Sequence, residues 1–356
     1  MTLSGTRPSV AGHYLTRLFH QPYVWAIVAL VLLLIVNLTK NPGYLGVSVN
    51  ASTGNLSGNV IDILRASAPI MMIAVGMTLV IATRGIDLSV GSVMAVAGAV
   101  SMEFMQNTGT GSFGTAAVAV LLALGISAIL GTVNGVLVSI VGLQPFITTL
   151  VMMLAGRGLA KVITSGQNTS ATNEPFRWIA NGTILGFPVV FVLAVLIVAA
   201  LAALVRRTAL GLMIESIGIN PKAARMAGIR PVGILISVYI GSAVLAGIAG
   251  IFSTASVMTV EVAKTGMTAE MDAILAVVIG GTSLAGGKFS LTGSIIGALL
   301  IATLDKTIVY MSIPSSATPA FKAVVIVIIC LLQSPRVRAM FSQRRTVTTR
   351  KDRVSA

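Results

Sequence analysis

The stretch GGTSLAGGKFS, residues 280–290, is the nearest approach in this chain to a phosphate-binding loop. Such a loop needs a glycine six residues before its lysine, so that backbone N–H groups can cradle phosphates. It also needs Ser or Thr immediately after the lysine to reach magnesium. Around Lys288 those positions are Thr282 and Phe289, so the match is false. His13 and His20 have no Cys or carboxylate partners at ligand spacing, which argues against a metal site. The single Cys330 lies in an apolar run, which forbids an intrachain disulfide and suggests a packed, inert thiol. No motif for hydrolysis is present. Any work against a gradient therefore has to draw on a nucleotide bound to another chain.

The remaining reactive groups are charges within or near apolar runs: Glu103, Arg157, Lys161, Asp272, Asp305, Lys306 and Lys322. A charge at such a place is costly and faces a cavity or a partner. Lys161 and Lys306 are close enough to helix ends to snorkel, and Asp272 is placed to act as an N-cap. Glu103, Arg157 and Asp305 are the stronger candidates. They either line a path or pair between helices. They form no dense acidic relay, which weakens an ion-driven carrier. The segment GMTLVIATRGIDLSVGSVMAVAGA (76–99) adds a break at Arg84-Gly85-Ile86-Asp87, where Asp87 or Ser89 can cap the following helix. Asp87 is either a local cap with Arg84 as its charge neighbour or part of a gate. The glycine-rich break at 280–294 is similar in kind and hints at a repeated half.

Composition says what must position these groups. Of the 356 residues, 55% are hydrophobic and 10% charged, with a mean hydropathy of +0.96. A soluble domain carries about 25% charged residues, so this chain cannot cover itself with polar surface. It reads as an all-α integral membrane protein. Its net charge of +14 comes from cations clustered in a few loops and the C-terminal tail, without any nucleic-acid-binding motif.

A bilayer core needs about 20 apolar residues per helix. Ten spans are predicted, at 23–39, 66–83, 88–106, 115–138, 145–164, 184–205, 232–256, 271–286, 290–311 and 318–333. The eighth is short, and the second and third nearly touch, so either pair can contain a broken or re-entrant helix. The first span reads as an uncleaved signal anchor. With the N-terminus inside, one side holds Arg7, Arg17, Arg84, the cations of residues 206–231, Lys288 and seven cations after Pro335. The other side has Lys40, Arg65, Arg177 and Lys264. Positive charge marks the cytoplasmic side. The organisation is thus a cytoplasmic N-terminal segment (1–22), a transmembrane domain (23–333) and a basic cytoplasmic tail (334–356). The tail is expected to be disordered and to rest on anionic lipid. Glycine, alanine and serine dominate runs such as GISAILGTVNG and GSAVLAGIAG, giving small faces on which helices pack closely.

Residues 206–231, RRTALGLMIESIGINPKAARMAGIRP, form a polar, helix-forming insert between two apolar runs. Thr208 can cap a first short helix. Asn220 as N-cap, Pro221 at the first helical position and Gly228 past the end bracket a second helix of about two turns. Five cations (Arg206, Arg207, Lys222, Arg225, Arg230) accompany one acid, Glu215. The insert is either a docking surface for a cytosolic partner or a well-built loop.

Together, the GMTLVIATRGIDLSVG segment, QPFITTL…GRG (Gln144 to Gly158), the IGINPKAARMAGI insert and AVVIGGTSLAGG resemble the permease subunits of bacterial ABC sugar importers. These are of the ribose, xylose, arabinose and galactose type. The resemblance runs from about Ile61 to Gln333. The segments around 61–99 and 144–167 are most similar to galactofuranose permeases. The resemblance implies a dimer with a second permease copy or paralogue, a cytosolic tandem-domain ATPase carrying ATP and Mg, and a periplasmic sugar-binding protein delivering a monosaccharide. The chain itself would bind no cofactor and sit in the bacterial inner membrane. The insert would be the coupling helix, carried by Gly211, Glu215, Gly218, Asn220, Ala223, Ala224 and Gly228. One departure is that the family has glycine where Arg84 stands. An ion-coupled secondary sugar transporter is the rival reading.

Overall fold

A computed structural model describes residues 22–49, 55–314 and 316–333. The expected N-terminal segment and basic tail, with His13 and His20, lie outside these residues, as does the Cys330 side chain. The described chain is helical, with strands only as three two-residue antiparallel pairs. Ten helices fall on the ten predicted spans: α1 (Pro22–Lys40), α2 (Asn59–Ala82), α3 (Val90–Thr108), α4 (Phe113–Ser139) and α5 (Pro145–Ile163) in the first part. A short helix, α6 (Glu174–Asn181), separates these from α7 (Val189–Arg207). The insert supplies α8 (Leu210–Ile219) and α9 (Pro221–Met226). Then come α10 (Pro231–Val257), α11 (Ala269–Ile279), α12 (Leu291–Tyr310) and α13 (Thr318–Gln333).

The count of spans needs correction. Among the described residues, seven helices are long and apolar enough to cross a membrane. Those predicted at 88–106, 271–286 and 318–333 fall short, for different reasons. α3 has the length, but Glu103, Gln106 and Asn107 dilute its apolar character. Most of its side chains are buried against protein, so lipid does not dictate its composition. α11 has 11 residues, which at about 1.5 Å per residue covers about half of a bilayer core. α13 has 16 residues. α2 starts earlier than predicted because Asp62 and Arg65, which interrupt the apolar run, lie within its first turns.

The core is built on α2 and α10. α10 packs along α4, α2 and α3, while α2 also carries α12, α11 and α7. Small residues set these contacts, as the sequence suggested. A Cβ on Gly131 of α4 would overlap Tyr239 O of α10, and one on Gly250 of α10 would overlap Met94 O of α3. Without a hydrophobic drive between helices in lipid, such backbone approach is the main source of association.

Candidate functional site

The second helix of the insert folds as its end signals direct, whereas Thr208 does not cap the first: Ala209 holds the N-cap position of α8 without a side-chain bond. Thr208 Oγ1 accepts from Leu210 N (3.2 Å) and donates to Leu204 O (2.6 Å), joining the end of α7 to the start of α8. Asn220 Oδ1 accepts from the Lys222 and Ala223 amides (3.0 and 3.1 Å), and Pro221 opens α9. α9 has six residues, a little shorter than expected. It ends in a left-handed turn, with Gly228 at φ +85° and Ile229 N donating to Ala224 O. Gly211, Gly218 and Ala224 are buried, Glu215 is half-buried, and Asn220, Ala223 and Gly228 are exposed. A Cβ on Gly211 would overlap Val205 O. Sequence reasoning missed the apolar residues the insert leaves uncovered: Met226 is 88% exposed, Leu212 70% and Ile219 60%. Beside Lys222 and Arg225, they make the insert a mixed apolar and basic surface. Their apolar positions in a short polar insert were the available signal.

Three segments distant in sequence meet beneath this surface. Gly218 lies so close to the end of α2 that a Cβ would overlap Ala82 O. Gly287 N, from the loop after α11, donates to the same Ala82 O (2.9 Å). Arg84, at φ +64°, sends Nε to Ala285 O (3.1 Å) and Nη2 to Ile219 O (2.6 Å). The expected local pair between Arg84 and Asp87 does not form. The left-handed backbone at Arg84 turns its side chain toward the insert, whereas Asp87 points into the bundle.

Asp87 is 1% exposed and sits in a hydroxyl-rich pocket. Its Oδ1 accepts from Ser89 N (3.0 Å) and Ser89 Oγ (2.6 Å), and its Oδ2 accepts from Ser242 Oγ of α10 (3.0 Å). Asn134 Nδ2 of α4 donates to Ser89 Oγ (2.9 Å). The predicted capping is therefore corrected. Ser89 holds the N-cap position of α3 without a side-chain cap bond, and Asp87 makes a turn before it. The break thus fastens α3, α4 and α10 together. A cavity of about 290 Å³ opens beside it, lined by Arg84, Gly85, Pro221, Arg225 and Tyr239 among others.

Glu103, Arg157 and Asp305 are not brought together. Glu103 accepts from Asn107 Nδ2 and Thr169 Oγ1 (both 3.2 Å). Arg157 donates to Thr265 O (2.5 Å) and Gly266 O (2.6 Å), beside Glu270 at the start of α11. Asp305 pairs with Lys322 (2.7 Å), which also reaches Asp272 (3.1 Å). This triad ties α11, α12 and α13 together, and Asp272 is therefore an ion-pair partner rather than a cap. Lys306 pairs with Asp62 of α2 (3.3 Å) instead of simply snorkelling. In the loop before α11, a hydrogen bond to Glu261 holds the exposed Lys264 ammonium above its usual range.

A bundle of closely packed, lipid-length helices, interrupted by a buried polar break and carrying one built insert at an end, defines a multi-pass membrane protein. Residues 59–332 match the family described as the permease component of branched-chain amino acid transport systems. The chain belongs to that family. It is 54% identical over 330 residues to a fructose import permease of Bifidobacterium longum, covering 92% of this chain and 91% of that one. It is 41% identical over 310 residues to a galactofuranose transporter permease of Escherichia coli, covering 87% and 89%. A ribose import permease of Escherichia coli is 38% identical over 338 residues, covering 93% and 99%. No solved structure matches. The chain is thus a permease of an ABC monosaccharide importer, and not a secondary carrier. The galactofuranose likeness expected from residues 61–99 and 144–167 is present, but the fructose relative shares more residues.

Proposed function

We propose that this permease imports a neutral monosaccharide, a pentose or a hexose in furanose form, with fructose the first candidate. The observation that carries this is the end-to-end identity with the fructose permease. ATP and Mg are held by a separate cytosolic tandem-domain ATPase, which docks on α8 and α9 through Leu212, Met226 and the neighbouring cations. That end of the bundle faces the cytoplasm of a bacterial inner membrane, as do both termini. A periplasmic binding protein delivers the sugar on the other side, and a second permease copy or paralogue completes the assembly. The engagement of Glu103, Arg157 and Asp305 by separate local partners fits a permease that leaves sugar affinity to the binding protein. The test is uptake by the full complex of labelled fructose, ribose and galactofuranose at equal concentration. Fructose uptake exceeding the others supports the reading. Uptake of none of the three contradicts it, and a preference for ribose or galactofuranose removes fructose as the substrate.

A further inference from the structure

We infer that Arg84 is a latch between the insert and the membrane core, a positioning residue that passes a displacement of α8 to the break holding Asp87. The inference rests on α8 and α9 being the ATPase-docking element. Arg84 is fixed at its backbone by Arg84 N to Ile81 O (2.9 Å) and Gly85 N to Val80 O (3.0 Å). It stands three residues before Asp87, so a pull on its side chain acts on that turn directly. Its guanidinium takes Ile219 O, among the last carbonyls of α8, which lack intrahelical donors and carry the negative end of the helix dipole. The same planar fork takes Ala285 O from the glycine-rich loop. Lysine, a single point charge on a flexible stem, does not reproduce such a two-carbonyl bridge.

The junction has no slack. Gly218 abuts Ala82 O, Gly287 donates to it, and a Cβ on Gly286 would overlap Arg84 Cγ. The φ of +64° is the left-handed position just past the end of α2, a place that favours glycine, so the arginine stands there against its backbone preference. Glycine, which the resemblance places here in the family, would fit the backbone better but could not bridge.

That backbone makes Arg84→Gly a clean test, because it removes the fork while relaxing the main chain. Hydrogen exchange on the full chain in lipid nanodiscs should show amides of 216–220 and 285–287 exchanging about ten-fold faster than in wild type, with amides of 85–93 also accelerated. The melting temperature should not fall. Arg84→Ala should speed the same amides and also lower the melting temperature, and Arg84→Lys should be intermediate in exchange. Unchanged exchange at 216–220 in Arg84→Gly would overturn the latch. Faster exchange there with 85–93 still protected would overturn transmission to the break. In complex with the ATPase, Arg84→Gly should consume several-fold more ATP per labelled fructose imported while still co-purifying with it. Failure of the wild-type chain to bind any ATPase contradicts the proposed function alone, since the exchange data decide the latch independently.

Discussion

Gly218 and Gly228 look alike in sequence, yet the structure gives them different constraints. At Gly218 a side chain meets the Ala82 carbonyl, so Gly218→Val must push α8 away from the core at a cost of about 1–3 kcal/mol. At Gly228 nothing lies within reach, and the constraint is its φ of +85°, worth about 1–2 kcal/mol for a residue with a Cβ. Both variants should insert in the membrane. Gly218→Val should melt lower than Gly228→Ala and lose uptake, and equal, negligible losses in both would contradict the junction. Asp87 is a second residue whose surroundings decide its effect. Asp87→Ala strands the donors Ser89 N, Ser89 Oγ and Ser242 Oγ in a buried pocket, and a bare buried donor costs about 1–3 kcal/mol. Thermal unfolding in detergent should show Asp87→Ala well below wild type and Asp87→Asn between them. An unchanged Asp87→Ala would refute the network. That Asp87 marks a break was legible from its place between apolar runs. Its partner Ser242 was not, because it lies 155 residues away and only the approach of α10 brings it there.

Single elements were read well where their ends carry local chemistry. Asn220, Pro221 and Gly228 bracketed α9, because an N-cap oxygen, a preset φ and a left-handed turn each depend on one residue. The same logic finds α6, between two predicted spans, where Asn173 Oδ1 accepts from Phe176 N and Pro175 lies in the first turn. That the eighth run is short was legible, but not that α11 stops at Ile279, since AILAVVIG is equally apolar in a half-length helix and in a full span. The three-way junction was invisible because each contact in it is long-range. The insert's exposed surface yields an element-scale prediction. Leu212→Glu and Met226→Glu touch nothing in the core, so both proteins should fold and melt as wild type. If each side chain is buried on docking at about 1.5–3 kcal/mol, ATPase co-purification should drop at least ten-fold. Undiminished co-purification in the double variant would place the docking surface elsewhere.

For the whole molecule, the distribution of charge and the alternation of helices agree on two distinct ends. Arg84, the insert cations and Lys288 gather at the end carrying α8 and α9, while Lys40 and the pair Asp62–Lys306 occupy the other half. The proposal that the first end faces the cytoplasm rests on this positive charge. A cysteine at the exposed Ser170 should be labelled by an impermeant reagent in intact cells, and one at the exposed Ala223 only after lysis. Labelling in the opposite sense would invert the orientation. The most direct test of ATP-driven import is accumulation of labelled fructose in liposomes holding the complex, with the binding protein outside and ATP inside. The account predicts concentration of sugar above the external level only when ATP and binding protein are both present. Equal accumulation without either, sustained by a proton or sodium gradient, would contradict it.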